Sequence, residues 1–299
     1  MRKLLKYTVW ALAGIILLIV VAATTVYLMS NSRLRRTYRI TANPLTIPND
    51  PAAIEQGRHI AQTRGCIDCH GADFAGAKVV ENVPIGRLYG PNLTRGNGGL
   101  AANFSDEDWV RAIRHGVSKE GRPLFLMPSQ EFSHFSDEDL GALIAYLKTV
   151  APVDRARVPI ALGPVGRVLV VTGKFPIAAE VIDHANLKPA SVKVARSVDY
   201  GRYLAAGCAG CHGSNYSGGP ITGAPPDWPA AANLTTHEKA AVANWSETDF
   251  INTLRTGRRP NGTEISPVMP RAFGQMNDTE LGALWLFLKN LPAAATGSR

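Results

Sequence analysis

Cys66-Ile67-Asp68-Cys69-His70 decides the reading of this chain, because the same pattern returns as Cys208-Ala209-Gly210-Cys211-His212. The copies stand in opposite halves of the chain and together hold all 4 cysteines. C-x-x-C-H is the attachment signal for c-type haem: two thiols form thioethers to the porphyrin vinyls, and the adjacent histidine binds iron from the same side. Two intervening residues put both sulfurs on one helical turn, with the histidine pointing back under the ring. C-x-x-C pairs also bind zinc or form redox disulfides of thioredoxin type. A shared zinc site would need pairs so distant in sequence to converge, and it leaves the duplicated histidine without a role. The residues predict two covalently attached haems c, with iron, on Cys66, Cys69 and His70 and on Cys208, Cys211 and His212.

The repeat extends well beyond the cysteines. Helical patterns over 52–61 and 197–205 run into the two motifs, and each carries Gly-Arg, at 57–58 and 201–202. A glycine inside a helix costs about 1 kcal/mol relative to alanine, so it marks close approach of another backbone. Gly/Pro/Asn-rich stretches follow at 71–103 and 213–244, each containing Asn-Leu-Thr, and little regular structure is expected there. Ser105 and Ser246 open capping-box starts with acidic first turns, ahead of helices over 109–115 and 250–256 that stop at Gly116 and Gly257. Closing helices are predicted over 140–150 and 281–291. Leu140, Leu143, Ile144 and Leu147, and Leu281, Leu284, Trp285 and Leu288, have the spacing of a buried stripe. Two copies of one helical module thus account for most of the chain.

An iron that only carries electrons needs a second axial ligand. Met127 stands as far beyond His70 as Met269 stands beyond His212, and a proline follows each methionine. A thioether favours the ferrous state and closes the iron to substrates, so Met127 and Met269 are the candidate axial ligands beside His70 and His212. Met276 aligns with Phe135 and is expected to fill the core. Arg114 and Arg255 are repeated, and read either as propionate partners or as cations at helix C-termini. His59, His115, His134, His184 and His237 lack matching histidines in the other copy and are assigned surface or capping roles.

The formal charge of +8 resides mostly at the amino terminus, where positions 1–39 carry seven basic side chains and no acid. Beyond position 39 the basic and acidic groups nearly balance, which leaves no nucleic-acid footprint. Positions 9–29 form an uncharged run, long enough at about 1.5 Å per residue for a roughly 30 Å hydrocarbon core. The run exceeds a signal-peptide core and ends in a poor cleavage context, so an uncleaved anchor is expected. Arg33, Arg35, Arg36 and Arg39 follow it; by charge alone they favour the cytoplasm. Lying along anionic headgroups is the role expected for them if the chain is exported. Residues 44–51 read as a proline-punctuated spacer. The segment 151–192, with the apolar run 165–171 broken by Arg167, reads as a linker packed across both modules, with contact to membrane or partner as the alternative.

C-x-x-C-H-G, Asn-Leu-Thr, Met-Pro and an acidic start to the closing helix, in that order, resemble the class I cytochrome c family, duplicated in tandem and membrane-anchored. Asn-Leu-Thr, Trp-Ser-x-x-Asp-Phe, Leu-Arg-x-Gly and Met-Pro are similar to arrays in cytochrome subunits of membrane-bound dehydrogenases. The resemblance implies a mainly α fold. A transmembrane anchor and juxtamembrane segment would occupy 1–40, cytochrome c domains 41–150 and 193–299, and a linker 151–192. It further implies haem attachment outside the inner membrane, which overrides the arginine count and places the modules on the periplasmic side of a single-pass anchor. In the family a proline carbonyl holds the ring N–H of the proximal histidine. Pro91 fits this role, and Ala232 stands at the second position. The implied function is electron transfer between a dehydrogenase or quinol-oxidising complex and an acceptor such as a terminal oxidase, without independent catalysis. The alternative is a dihaem enzyme, a peroxidase or thiosulfate-oxidising cytochrome, which requires one open iron; a haem sensor would need an appended signalling domain.

Overall fold

The computed structural model describes residues 2–225 and 227–298. The uncharged run lies within one helix, α1 (Arg2–Leu34), whose 33 residues extend about 50 Å at about 1.5 Å per residue. Within it an 18-residue stretch of high hydropathy is wholly unburied, so α1 is long and apolar enough to cross a membrane.

In the first module, α2 (Pro51–Thr63) starts on the Asp50 side chain, which accepts from Ala53 N, with proline at the first helical position. α3 (Cys66–His70) is a single turn between Gly65 and Gly71, both with positive φ. β1 (Lys78–Asn82) and β2 (Gly86–Tyr89) form an antiparallel hairpin in the loop read as irregular. α4 (Asp106–His115) has the predicted capping box of Ser105 and Asp108 and ends at Gly116. The short α5 (Ser129–Phe132) precedes α6 (Asp137–Thr149). The inter-module segment contributes β3 (Ala161–Leu162), α7 (Pro164–Val171) and α8 (Ala178–Val181). The second module repeats the plan with α9 (Val198–Ala205), α10 (Ala209–His212), α11 (Glu247–Thr256) and α12 (Asp278–Lys289).

α2 packs across α6, and α9 across α12. A Cβ on Gly57 would fall on the carbonyl of Ala142, and one on Gly201 on the carbonyl of Ala283. Only hydrogen fits at these crossings, which is why each helix tolerates its glycine. The expected stripes are buried in both closing helices, with Leu140, Ile144 and Leu281 at 0% exposure. Burying each such side chain contributes about 1.5–3 kcal/mol.

Packing adds detail to two expectations. The 44–51 spacer carries no helix or strand over 44–49, and Leu45 and Ile47 pack on the first core; before it, Tyr38 N donates to Gly121 O at 2.8 Å. The inter-module segment packs on both modules: Val153 O accepts from the Asn92 side chain of the first, and Val192 lies against the core of the second. β3 pairs with β2, and α7 packs against α1. Arg167 Nη1 donates to Ser30 Oγ at 2.9 Å and its guanidinium stands 4.3 Å from the Tyr27 ring centroid, while Arg33 pairs with Glu180. A third small core, including Val117, Val170 and Ile177 with Leu34 and Phe125 against it, joins α1, the inter-module segment and the first module.

Candidate haem sites

α2 aims the chain at Gly65, whose φ of 74° turns it sharply into α3. A side chain rarely adopts that conformation, so glycine sets where Cys66 begins. His70 is buried, and its Nδ1 donates to the carbonyl of Pro91 at 3.0 Å. Burial holds this imidazole below the usual histidine range, partly offset by that bond. Donation from Nδ1 leaves the lone pair on Nε2, the tautomer an iron ligand requires. In the second module His212 is equally buried, and its Nδ1 donates to the carbonyl of Ala232 at 2.7 Å. Alanine therefore supplies the carbonyl that proline supplies in the first.

The loops after each motif follow one design. Phe74 (φ 55°) and Tyr216 (φ 60°) are left-handed yet buried, and each stands edge-on to the closing helix, Phe74 on Tyr146 and Tyr216 on Phe287. Leu93 N donates to Phe74 O at 2.7 Å and Leu234 N to Tyr216 O at 2.9 Å. Asn92 and Asn233 accept from Thr94 N and Thr235 N. Their amides donate to Val153 O and Ala294 O, tying the Asn-Leu-Thr turn to the chain beyond the closing helix. Sequence reasoning did not assign these clamps. The signal was present in the paired Asp73-Phe74 and Asn215-Tyr216, where a turn-forming side chain precedes an aromatic ring.

Cys66, Cys69, His70 and Met127 line one cavity of 840 Å³, walled largely by apolar side chains such as Leu93, Trp109, Ile113 and Leu143. Its size lies in the range of about 300–1,000 Å³ usual for cofactor sites. Two thiols, a neutral imidazole and a thioether around an apolar slot fit a c-type haem. Desolvation pushes the Cys66 thiol up to about 12, as expected of a sulfur against an apolar slot. Among the described residues no three His, Cys, Asp or Glu side chains form a metal-binding group, so the cysteine pairs do not converge. Leu126, just before Met127, has φ 75°, an unusual conformation for leucine that bends the chain at the thioether. Met269 is half-buried in the corresponding turn, its N–H donating to Ser266 O at 3.0 Å. Met276 fills the second core at 2% exposure, as expected.

Other expectations fall differently. Arg114 lies between α4 and α6: Nη1 meets Asp137 Oδ1 at 2.8 Å and Nη2 donates to Phe135 O at 2.8 Å. Arg255 pairs with Asp278 at the equivalent place. Both are bridges to the N-terminus of the closing helix rather than propionate partners. His115 is buried rather than superficial, its Nδ1 3.0 Å from His184 Nδ1, and desolvation with the neighbouring His184 lowers it to about 4. His59 lies at the boundary between modules, 2.7 Å from Glu280.

The attachment loops sit beside this boundary. Arg64 Nη1 donates to Leu204 O at 2.8 Å, with its guanidinium 5.7 Å from the Phe135 ring and 5.8 Å from that of Tyr203. Glu131 of α5 lies against Gly210 of the second motif, and burial pushes its carboxyl up to about 7.

Residues 54–151 and 198–292 match the family model for cytochrome c. The chain belongs to the cytochrome c family. This cytochrome is similar to the fructose dehydrogenase cytochrome subunit of Gluconobacter japonicus, 26% identical over 92% of this chain and 59% of that one. It is 29% identical to the gluconate 2-dehydrogenase cytochrome c subunit of Pantoea cypripedii, over 81% of this chain and 60% of the relative. A dihaem c-type cytochrome of Cereibacter sphaeroides is 24% identical, over 94% and 97%. The cytochrome spans about three-fifths of the length of the first two relatives. Family membership implies covalently bound haem c with iron, and the relatives support a role in electron transfer.

Proposed function

We propose that this cytochrome carries two covalent haems and passes single electrons between a respiratory donor and an acceptor. Cys66 and Cys69 would hold the first haem, with His70 and Met127 supplying the nitrogen and sulfur ligands to its iron. Cys208, Cys211, His212 and Met269 serve the second. Segments 41–150 and 193–299 are the functional units, 1–40 the anchor and juxtamembrane part, and 151–192 the connection. The anchor crosses the inner membrane once and the modules face the periplasm. The donor is a dehydrogenase or quinol-oxidising complex, and the acceptor is of the terminal-oxidase kind.

The observation that carries this reading is the pair of buried imidazoles whose Nδ1–H groups are spent on backbone carbonyls. Each protein ligand is thereby fixed in one orientation, which keeps the rearrangement accompanying electron transfer small. Bound haem supplies a reversible one-electron iron couple. The chain excludes water with Trp109, Ile113 and Leu143, and sets Met127 in the same cavity as His70. A thioether there closes the iron to small substrates, which supports a carrier over a peroxidase.

The test is mass spectrometry and carbon monoxide titration of the purified protein. Two haem masses on one chain, low-spin spectra and weak carbon monoxide binding are expected. One haem, or rapid peroxide turnover, would refute the proposal.

A further inference from the structure

The cavity containing His70 and Met127 reaches past the family-matched segments. Tyr27 and Asn31 of α1, Arg35 just beyond it, Arg157 of the inter-module segment and Arg167 of α7 all line it. Arg35, Arg157 and Arg167 are the charged side chains in the lining, and no carboxylate is among them. Among the described residues, none of the three has an acidic partner in any ion pair, although such pairs occur throughout the rest of the chain, from Arg33–Glu180 to Arg258–Glu264. Arg167 is nonetheless oriented, by Ser30 Oγ and the Tyr27 ring.

Guanidinium groups stay charged at any ordinary pH; Arg167 is half-buried, and Arg35 and Arg157 are exposed at the rim of the apolar slot, so together they make its mouth positive. A haem attached through its vinyl groups still carries two propionates, and the planar fork of arginine matches a carboxylate with two parallel hydrogen bonds. We infer that Arg35, Arg157 and Arg167 are the propionate-binding cations of the first haem. The end of the anchor helix and the inter-module segment thereby complete a cofactor site that the cytochrome module leaves open. This rests on the reading of Cys66, Cys69 and His70 as a haem site. The register that carries Asn92 to Asn233 carries Arg157 to Ser298, so the second module has no cation at the corresponding position. The three positive charges favour the ferrous form of the first haem over that of the second.

The test uses the full-length holoprotein in nanodiscs. The two haem components are resolved by potentiometric titration and assigned with the Met127→Ala variant. In the triple variant Arg35→Gln, Arg157→Gln, Arg167→Gln, both haems stay attached by mass. The ferric-to-ferrous ratio of the first haem at fixed ambient potential rises on the order of tenfold, while the second haem is unmoved. The triple lysine variant recovers most of the change, which a packing role alone would not produce. A first-haem midpoint that stays put in the glutamine variant, or moves equally with the second, overturns the inference. So does an effect seen in anionic lipid and lost in zwitterionic lipid, since the arginines would then be holding headgroups. Absence of haem from the 66–70 peptide of the wild-type protein defeats the site reading itself and the inference with it. Peptide mass separates that failure from the others.

Discussion

His59 Nε2 lies 2.7 Å from Glu280 Oε2, joining α2 of the first module to the start of α12 in the second. Its counterpart by the repeat is Tyr203, whose hydroxyl donates to Asp139 Oδ2 at 2.5 Å, from α9 back to the start of α6. Each module thus lends a side chain from its leading helix to the first turn of the other's closing helix. The two polar links differ in one respect: only the histidine titrates near neutrality.

The Glu280 hydrogen bond raises His59 above the ordinary histidine range, against desolvation, which lowers it. A raised folded value means that the stabilisation is fully present below the unfolded value, near pH 6.5, and is lost as pH rises through the folded one. Its loss in His59→Gln is expected to cost about 1 kcal/mol at about pH 6. Thermal unfolding of wild type and variant, followed from mildly acidic to alkaline pH, should converge at the alkaline end; a constant gap would show that protonation plays no part.

Gly57→Ala and Gly201→Ala each place a methyl group on a backbone carbonyl, of Ala142 and Ala283. Overpacking of this kind typically costs about 1–3 kcal/mol. Gly14 has nothing within 4 Å, so Gly14→Ala is the silent control. Melting temperatures of the three variants check the ranking.

Removing repeated arginines should not give repeated costs. The Arg114 side chain is 5% exposed and that of Arg255 43%. Arg114→Ala abandons Phe135 O in a buried place and is expected to lose about 2–3 kcal/mol. Arg255→Ala breaks a solvated pair and should lose less than about 1 kcal/mol. Denaturant midpoints, with unchanged slopes, measure the difference.

Met276→Leu preserves volume in the second core and is expected to cost less than about 1.5 kcal/mol with no spectral change. Met127→Ala should open one iron to carbon monoxide, and Met269→Ala the other. A methionine–iron charge-transfer band lost from the second haem in Met276→Leu, and kept in Met269→Ala, would reassign that ligand.

Much of this was legible in the residues. The helix starts at Ser105 and Ser246, the stops at Gly116 and Gly257 and the crossings at Gly57 and Gly201 follow from local rules about caps and missing side chains. Non-local partners were not. The 78–89 hairpin lacks strict alternation, and β2 gains its second neighbour from β3, far along the chain. His115 reads as a helix-end cation until His184 arrives from a distant part of the chain to share its burial. Arg114 has the sequence context of a propionate partner, and only the position of Asp137 shows where its charge is used. Within the site, the proximal histidines could be read from their motifs, whereas the cations beside the first cavity come from segments that no repeat marked.

The 33 residues of α1 extend farther than the roughly 30 Å hydrocarbon core of a bilayer. Its final turns emerge locked to α7 through Arg33 and Arg167, and the chain beyond is packed against the first module rather than hanging loose. The first module is therefore mounted on a stalk instead of a leash. Under the proposed single-pass topology the module would not sweep a volume around its attachment point; its encounters would take place by sliding in the plane of the bilayer, with the proposed redox centre held at a nearly constant height. In that topology a partner in the same membrane would meet that centre by two-dimensional diffusion, whereas a soluble one would have to descend to the surface.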